Sequence, residues 1–431
     1  MASASSSSSA AAAPARVLTW SRPPSQGACP SGRGGHSASQ VGNLMLLFGG
    51  TFFDAGSFHY LNDLWALDVE SLKWHKPALG GGGGGRAPPC PGPRYGHSAV
   101  VVDWSVFVFG GKGEGGVMYN DLWCLSVDTW TWELMPTTSS PPSPRMGHAC
   151  AAVDGKLVVS LGWDSQRTCF SDVWVYDRAL FSWSRPKVSG LAPRARHGAA
   201  CQYDEANARL VLLGGQSIDA QGHPHFLRDT QELDLRAMAW ARSRCTGDLP
   251  TDRYMHASAV VGNVLVSFGG WRGPAAAAAD EAAAKAERPK PAAAAAGGRD
   301  AAVQAAKLAL TATLHAAASG AGAGAGADAA PALVELPFQA GMGFGDAPAS
   351  AGQTIVVPLA QHADTYLLDI SKSELEYVQP RVAGKAPGMR YGASACSCGL
   401  QVLLFGGWEG GRALAELLVL DLSAMHSSAG E

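Results

Sequence analysis

The chain has 431 residues, a net charge of −3 at pH 7 and a pI near 6.5, which excludes a global basic field for nucleic acid or an anionic membrane. Its length suits one large repeat domain or two to three ordinary ones. Fifty-three glycines and 13 tryptophans with only 16% charged residues point to short strands and tight turns, and no apolar run is long enough to insert into a membrane as a span.

The first stretch, "MASASSSSSAAAAPAR", lacks the basic start and long apolar centre of a secretory signal. It is Ser/Ala-rich and acid-poor, as organelle transit peptides are, but holds a single arginine, Arg16. It reads as a disordered leader over residues 1–15 of a cytoplasmic protein. Directly after it stands Trp20, in "VLTW", an aromatic that a disordered tail does not explain.

A repeat then begins. "RGGHSA" at 33–38 recurs as "RYGHSA" (94–99), "RMGHAC" (145–150), "RARHGA" (194–199), "RYMHAS" (253–258) and "RYGASA" (390–395). A hydrophobic strand follows each and usually ends in two glycines: Gly49 and Gly50, Gly110 and Gly111, Gly214 and Gly215, Gly269 and Gly270, Gly406 and Gly407. The third copy has Leu161 and Gly162 there. After a variable loop comes another strand: "NDLWALD", "NDLWCLS", "SDVWVYD", "RDTQELD", "ADTYLLD" and "AELLVLD". A spaced tryptophan closes the first four copies (Trp74, Trp132, Trp183, Trp240), with Leu375 and Tyr377 in the fifth.

The fifth copy is interrupted between Gly270 and His362. Residues 272–361 read as a low-complexity Ala/Gly-rich insertion, with one amphipathic helix expected over 301–318 and two short apolar runs after it. The glycine run at 80–85 reads as a flexible expansion between blades. The sixth copy lacks a fourth strand with its tryptophan. Trp20 precedes Arg33 by 13 residues, as Trp132 precedes Arg145 and Trp240 precedes Arg253. "VLTW" is therefore expected to complete the last copy and close the ring, with residues 426–431 as a tail. Nine cysteines without CxxC pairs, only Cys396 and Cys398 being close together, suggest free thiols in a reducing compartment and give no zinc or disulfide framework.

Six copies of roughly 50 residues fit the four-stranded blade of a β-propeller. The Arg-x-Gly-His start, diglycine, Asn-Asp-hydrophobic-Trp strand and spaced tryptophan resemble kelch repeats, of the type that includes Rab-effector-like and plant acyl-CoA-binding relatives. The resemblance covers nearly all of the chain from 16 to 425 outside the insertion. It implies an all-β, six-bladed kelch propeller with four antiparallel strands per blade.

Recurrence between copies separates construction from activity. Diglycines suit strand ends where a side chain would clash, and spaced tryptophans suit the wedge between sheets. Arg33, Arg94, Arg145, Arg194, Arg253 and Arg390 recur with Asp63, Asp121, Asp172, Asp229, Asp364 and Glu416, a pattern for ion pairing within blades. In kelch propellers such arginines can also line the central opening, so Arg94, Arg145, Arg253 and Arg390 enter the candidate binding face. His36, His97, His148, His197 and His256 sit in five rotated blades, too dispersed for a metal ion.

The copies disagree just after the diglycine: Thr51, Lys112, Trp163, Gln216, Trp271 and Trp408. Lys112, Trp163, Arg167, Trp271, Arg272, Trp408 and Arg412 form the expected contact surface, an aromatic and arginine-rich set of the kind that dominates protein interfaces. The expected function is a non-catalytic scaffold binding a protein partner, without nucleic acid, membrane insertion, metal or cofactor. No phosphate-binding loop, GxSxG or HExxH is present. The Glu-xxx-Asp-xxx-His iron motif of plant specifier proteins is absent, and so is the extra domain of copper radical oxidases. The alternatives are a ubiquitin-ligase substrate receptor working with a separate adaptor, since no BTB or F-box element is visible, or a metal- or small-molecule-binding propeller.

Overall fold

The computed structural model describes residues 17–81, 87–164, 166, 168–272 and 362–425. The leader over 1–15, most of the glycine run, Arg167, nearly all of the fifth-copy insertion with its expected helix, and the tail lie outside them.

Among the described residues the chain forms six four- or five-stranded sheets, antiparallel through their four blade strands, with two small two-stranded hairpins and two single 3-10 turns. The sheets succeed one another as blades 1 to 6. Blade 1 is typical, ordering Ser37–Val41, Leu44–Phe48, Leu64–Asp68 and Lys73–His75 from the axis outward. Its second strand, "LMLLF", is buried on both faces because a neighbouring blade covers each side, which is why it is an unbroken apolar run rather than an alternating one.

The sixth sheet joins the two ends of the described chain. Val17–Ser21 pairs antiparallel with Leu417–Asp421, Trp20 opposite Leu420. Linker strands Ser189–Gly190, Cys245–Gly247 and Arg381–Gly384 add parallel fifth strands to the outer edges of blades 4, 5 and 6, covering edges that would otherwise be free to pair.

Aromatic wedges hold adjacent blades together. Trp74 packs on Phe405, Trp132 on Phe48, Trp183 on Phe109 and Trp20 on Phe268, each with ring centroids 5.0–5.4 Å apart. In each pair the tryptophan belongs to one blade and the phenylalanine to the blade before it. His36, His97 and His148 stand edge-on to Phe405, Phe48 and Phe109 at 5.2–5.7 Å. These histidines are structural packing groups.

Candidate functional site

Each motif arginine is committed inside its blade. Arg33, Arg94, Arg145, Arg253 and Arg390 are at most 2% exposed. Nη1 reaches the carboxylates of Asp63, Asp121, Asp172 and Asp364 at 2.6–2.8 Å, while Arg390 meets Glu416 through Nη2 at 3.1 Å. The same guanidinium donates to the first carbonyl of its own diglycine position, as Arg94 does to Gly110 at 2.9 Å. The placement of Arg94, Arg145, Arg253 and Arg390 on a contact face is therefore corrected: each is buried and paired with a carboxylate of its own blade.

The fourth copy carries a second correction. Arg196, not Arg194, makes the ion pair, with Asp229 at 2.6 Å. Its motif is Arg196-His197-Gly198-Ala199, and its first hairpin, Ala200–Asp204 with Arg209–Ile218, turns through four residues where blade 1 turns through two. His197 thus occupies the variable second position of the motif, and Ala199 takes the place filled by His36 in blade 1.

Two closed sets of backbone hydrogen bonds follow from this register. The second glycine of each blade donates to the arginine carbonyl of the next: Gly50 to Arg94, Gly111 to Arg145, Gly162 to Arg196, Gly215 to Arg253, Gly270 to Arg390 and Gly407 to Arg33, at 2.8–2.9 Å. Nearer the axis a tighter circle runs through the third motif position. Gly96 donates to Gly35, Gly147 to Gly96, Gly198 to Gly147, Met255 to Gly198, Gly392 to Met255 and Gly35 to Gly392, at 2.7–2.8 Å. All six residues have φ between 53° and 65°, a left-handed conformation that suits glycine. Met255 alone has a side chain there.

Above this circle lies the centre of the diglycine face, where the second motif position bridges the residue after the diglycine in every blade. The pairs are Gly34 with Thr51, Tyr95 with Lys112, Met146 with Trp163, His197 with Gln216, Tyr254 with Trp271 and Tyr391 with Trp408. Trp163, Trp271 and Trp408 are 1–6% exposed and Lys112 is 1% exposed, so these residues are buried instead of standing on the surface as the sequence suggested, and Trp408 lines the axial cavity. They are held there by the second-position partners, which sequence reasoning missed; the signal was the variable x of Arg-x-Gly-His, five of whose six occupants are large.

A cavity of about 40 Å³ sits on the axis, lined by Thr51, Tyr95, Met146, His197, Tyr254, Met255, Tyr391, Trp408 and the axial glycines. It accommodates a few waters or one side-chain tip, far less than the usual volume of a metabolite pocket. Burial pushes the His197 imidazole down to about 4, opposed by the neighbouring Gln216 side chain, so the ring is neutral at pH 7. Burial alone raises the Tyr254 phenol beyond the usual range.

Raised loops surround the cavity. Blade 1 contributes the hairpin Thr51–Asp54 with Ser57–Tyr60, and blade 4 the extension of Arg209–Ile218 and Pro224–Asp234; the two stand on opposite sides of a six-bladed ring. Blade 6 adds a short hairpin with Arg412 and Glu409, 76% and 44% exposed. At the blade 4 tip, Asp219 gathers His225 Nε2 at 3.0 Å and His223 Nδ1 at 3.3 Å, and the His225 contact leads in holding its carboxyl below the usual range. Arg272 is half-buried beside Trp271. Among the described residues no group of three metal-ligating side chains could hold a metal ion, and no helix is long and apolar enough to cross a membrane.

A family described as the KLHDC2/KLHL20/DRC7 Kelch-repeats domain matches residues 84–270. Host cell factor 2 of Homo sapiens is 29% identical over 276 residues, 59% of this chain and 33% of that protein. Acyl-CoA-binding domain-containing protein 4 of Arabidopsis thaliana is 28% identical, over 58% of this chain and 36% of that one. The dynein alpha chain of the flagellar outer arm of Chlamydomonas reinhardtii is 28% identical, over 59% of this chain and 6% of its own. The match thus spans about a third of the first two and a small part of the third. A solved structure of YjhT superposes with a TM-score of 0.55 over 90% of this chain and 95% of that one, at 14% identity, which speaks to fold.

Proposed function

Because the chain is a kelch-repeat β-propeller, we propose that it is a non-catalytic protein-interaction scaffold that engages its partner with the diglycine face. The observation that supports this is where the sixfold rule breaks. Residues that build a blade repeat around the ring, whereas the raised loops differ from blade to blade: a hairpin on blade 1, a longer one carrying His223 and His225 on blade 4, and a short one with exposed Arg412 on blade 6. Such a surface gives one partner a specific, asymmetric contact on a symmetric frame, and fold alone does not supply that specificity. All nine cysteines are unpaired, which fits a reducing cytoplasmic compartment.

The test is affinity capture with the full chain and with rim variants that leave the ring intact. Arg412→Glu combined with His223→Ala and His225→Ala should lose the partner. Retention of every partner by that variant, with loss on Trp104→Ser in the 54%-exposed turn of the opposite face, would overturn the choice of face. Cullin subunits among the partners lost would make the scaffold a ligase substrate receptor.

A further inference from the structure

Each blade is entered through a linker that ends in its motif arginine, and the linker into blade 3 differs from the rest. It reads "SSPPSPR" over 139–145. Ser140-Pro141 and Ser143-Pro144 are the two Ser-Pro dipeptides of the whole chain, which has no Thr-Pro. A residue before proline is pushed into extended backbone, and 140–144 belong to no strand or helix. Among the described residues no backbone–backbone hydrogen bond holds this stretch. It is tied by Asn120 Nδ2 donating to the Pro142 carbonyl and Arg145 Nε to the Ser143 carbonyl, both at 3.1 Å. Ser140 and Ser143 are exposed, so an enzyme that reads an extended serine–proline segment can reach them.

Ser143 stands two residues before Arg145, whose guanidinium has five N–H donors. Four are committed: Nε to the Ser143 carbonyl, Nη1 to the Leu161 carbonyl and Asp172, and Nη2 to Asp172 at 3.0 Å. In blades 1 and 5 the fifth goes to the hydroxyl in the slot of Ser143. Arg33 Nη2 donates to Ser31 Oγ at 3.1 Å, and Arg253 Nη2 to Thr251 Oγ at 3.4 Å. The Ser143 hydroxyl makes no such bond among the described residues, which leaves the last Arg145 donor beside it. A second cation stands close. Arg185 lies 6.0 Å from the Trp174 ring, whose Nε1 donates to Asp172 at 2.8 Å. Lys76 and Arg22 hold the same place in blades 1 and 6, reaching Asp63 and Glu416 at 3.8 and 3.0 Å.

We propose that Ser143 is a phosphorylation site for a proline-directed serine kinase, and that its phosphate docks on Arg145 and Arg185. Ser143 Oγ bonds to the γ-phosphorus of ATP while the bond from that phosphorus to the β,γ-bridging oxygen breaks. ADP leaves, and the hydroxyl proton passes to the kinase's base. The product carries close to two negative charges and three acceptor oxygens, one for the remaining Arg145 donor and the others for Arg185. Asp172 opposes it by like charge, so Arg185 decides whether the phosphate docks. In blade 6 the same slot is Gly388, where a Cβ would lie 2.7 Å from Glu409 Oε1 of the raised hairpin. The modification therefore places its charge at the rim of the diglycine face. The site does not rest on the scaffold reading, because every readout below is made on the chain alone.

The test incubates the folded full chain with ATP, Mg²⁺ and a purified proline-directed kinase of the MAP-kinase class, and locates phosphate by mass spectrometry. Ser143→Ala should remove most of the incorporation and Ser140→Ala should leave it. Phosphorus NMR then follows the second ionisation of the phosphoserine. It should fall from its ordinary value of about 6 to about 5, because neighbouring arginines favour the dianion. Arg185→Gln, an exposed substitution, should return it toward 6, as should unfolding in urea. Incorporation only in the unfolded chain, or confined to Ser140, would overturn the site. An ionisation near 6 that Arg185→Gln leaves unchanged would overturn the docking.

Discussion

The indole of Trp408 fills the space in front of Gly34: a Cβ on Gly34 would lie 2.0 Å from Trp408 Nε1 and 2.2 Å from Cδ1. Gly34 is the only second-position residue without a side chain, and blade 6 supplies the missing bulk across the seam. A methyl group at 34 must displace a buried indole, so Gly34→Ala should destabilise the fold by about 1–3 kcal/mol. In Trp408→Ala the same methyl meets open space. Urea unfolding of the two single variants and the double should therefore give a double-variant loss smaller than the sum, the coupling expected of residues in contact.

Trp20 is 1% exposed, packs on Phe268 of blade 5 and pairs in register with Leu420. Trp20→Ala should cost about 3–5 kcal/mol. Deleting residues 1–24 removes the whole strand and uncovers the edges of Leu417–Asp421 and Arg381–Gly384, so that protein should unfold or aggregate. Deleting 1–14 leaves the strand and should have no effect. Size-exclusion profiles and melting curves of the two truncations check this, and equal stability would refute a ring-closing role.

Asp172 holds Arg145, which has no exposed side-chain surface, through both carboxylate oxygens at 2.7 and 3.0 Å. Removing one member of a buried pair strands the other charge. Asp172→Asn should cost about 3–5 kcal/mol, and converting both residues to apolar ones of similar size should recover part of that loss. Chemical denaturation of the single and paired variants is the measurement.

Acid should unfold this propeller early. Burial first, then the neighbouring motif arginines Arg33, Arg145 and Arg253, push His36, His148 and His256 down to about 3 from 6.5. The folded state thus binds fewer protons than the unfolded one below pH 6.5. Stability is full above that pH and falls, for each histidine, by about 1.4 kcal/mol per pH unit as pH drops toward 3. Asp63, Asp172, Asp229 and Asp364 are also lowered, against burial, by their arginines, and add the same sign below their ordinary value of 3.8. A stability–pH series by denaturant midpoint should show the decline starting near pH 6.5, with a shallower slope in His148→Gln.

The blade frame was legible because each element repeats with its partner: arginine with aspartate, diglycine with the next blade's arginine carbonyl, tryptophan with the preceding blade's phenylalanine. What escaped had no such redundancy. "RARH" offers two arginines, and only the longer hairpin of blade 4 selects Arg196. Trp163, Trp271 and Trp408 broke the repeat and so resembled a surface patch, but exposure depends on what stands across the bridge, and Met146, Tyr254 and Tyr391 lie in a different part of the motif. Met255 stands out as the one non-glycine at its position only after the fourth copy is shifted to Arg196, and the reason glycine belongs there is a circle of hydrogen bonds that no local pattern encodes.

That circle makes blade order a matter of position around the axis rather than along the chain. Every blade gives one hydrogen bond and receives one, so a seventh cannot enter without opening the loop, and none can leave. The molecule has a chain beginning but no structural beginning. Circular permutants that join the present ends and open the chain just before the outermost strand of another blade should recover the same propeller, each with a different blade assembled from two pieces.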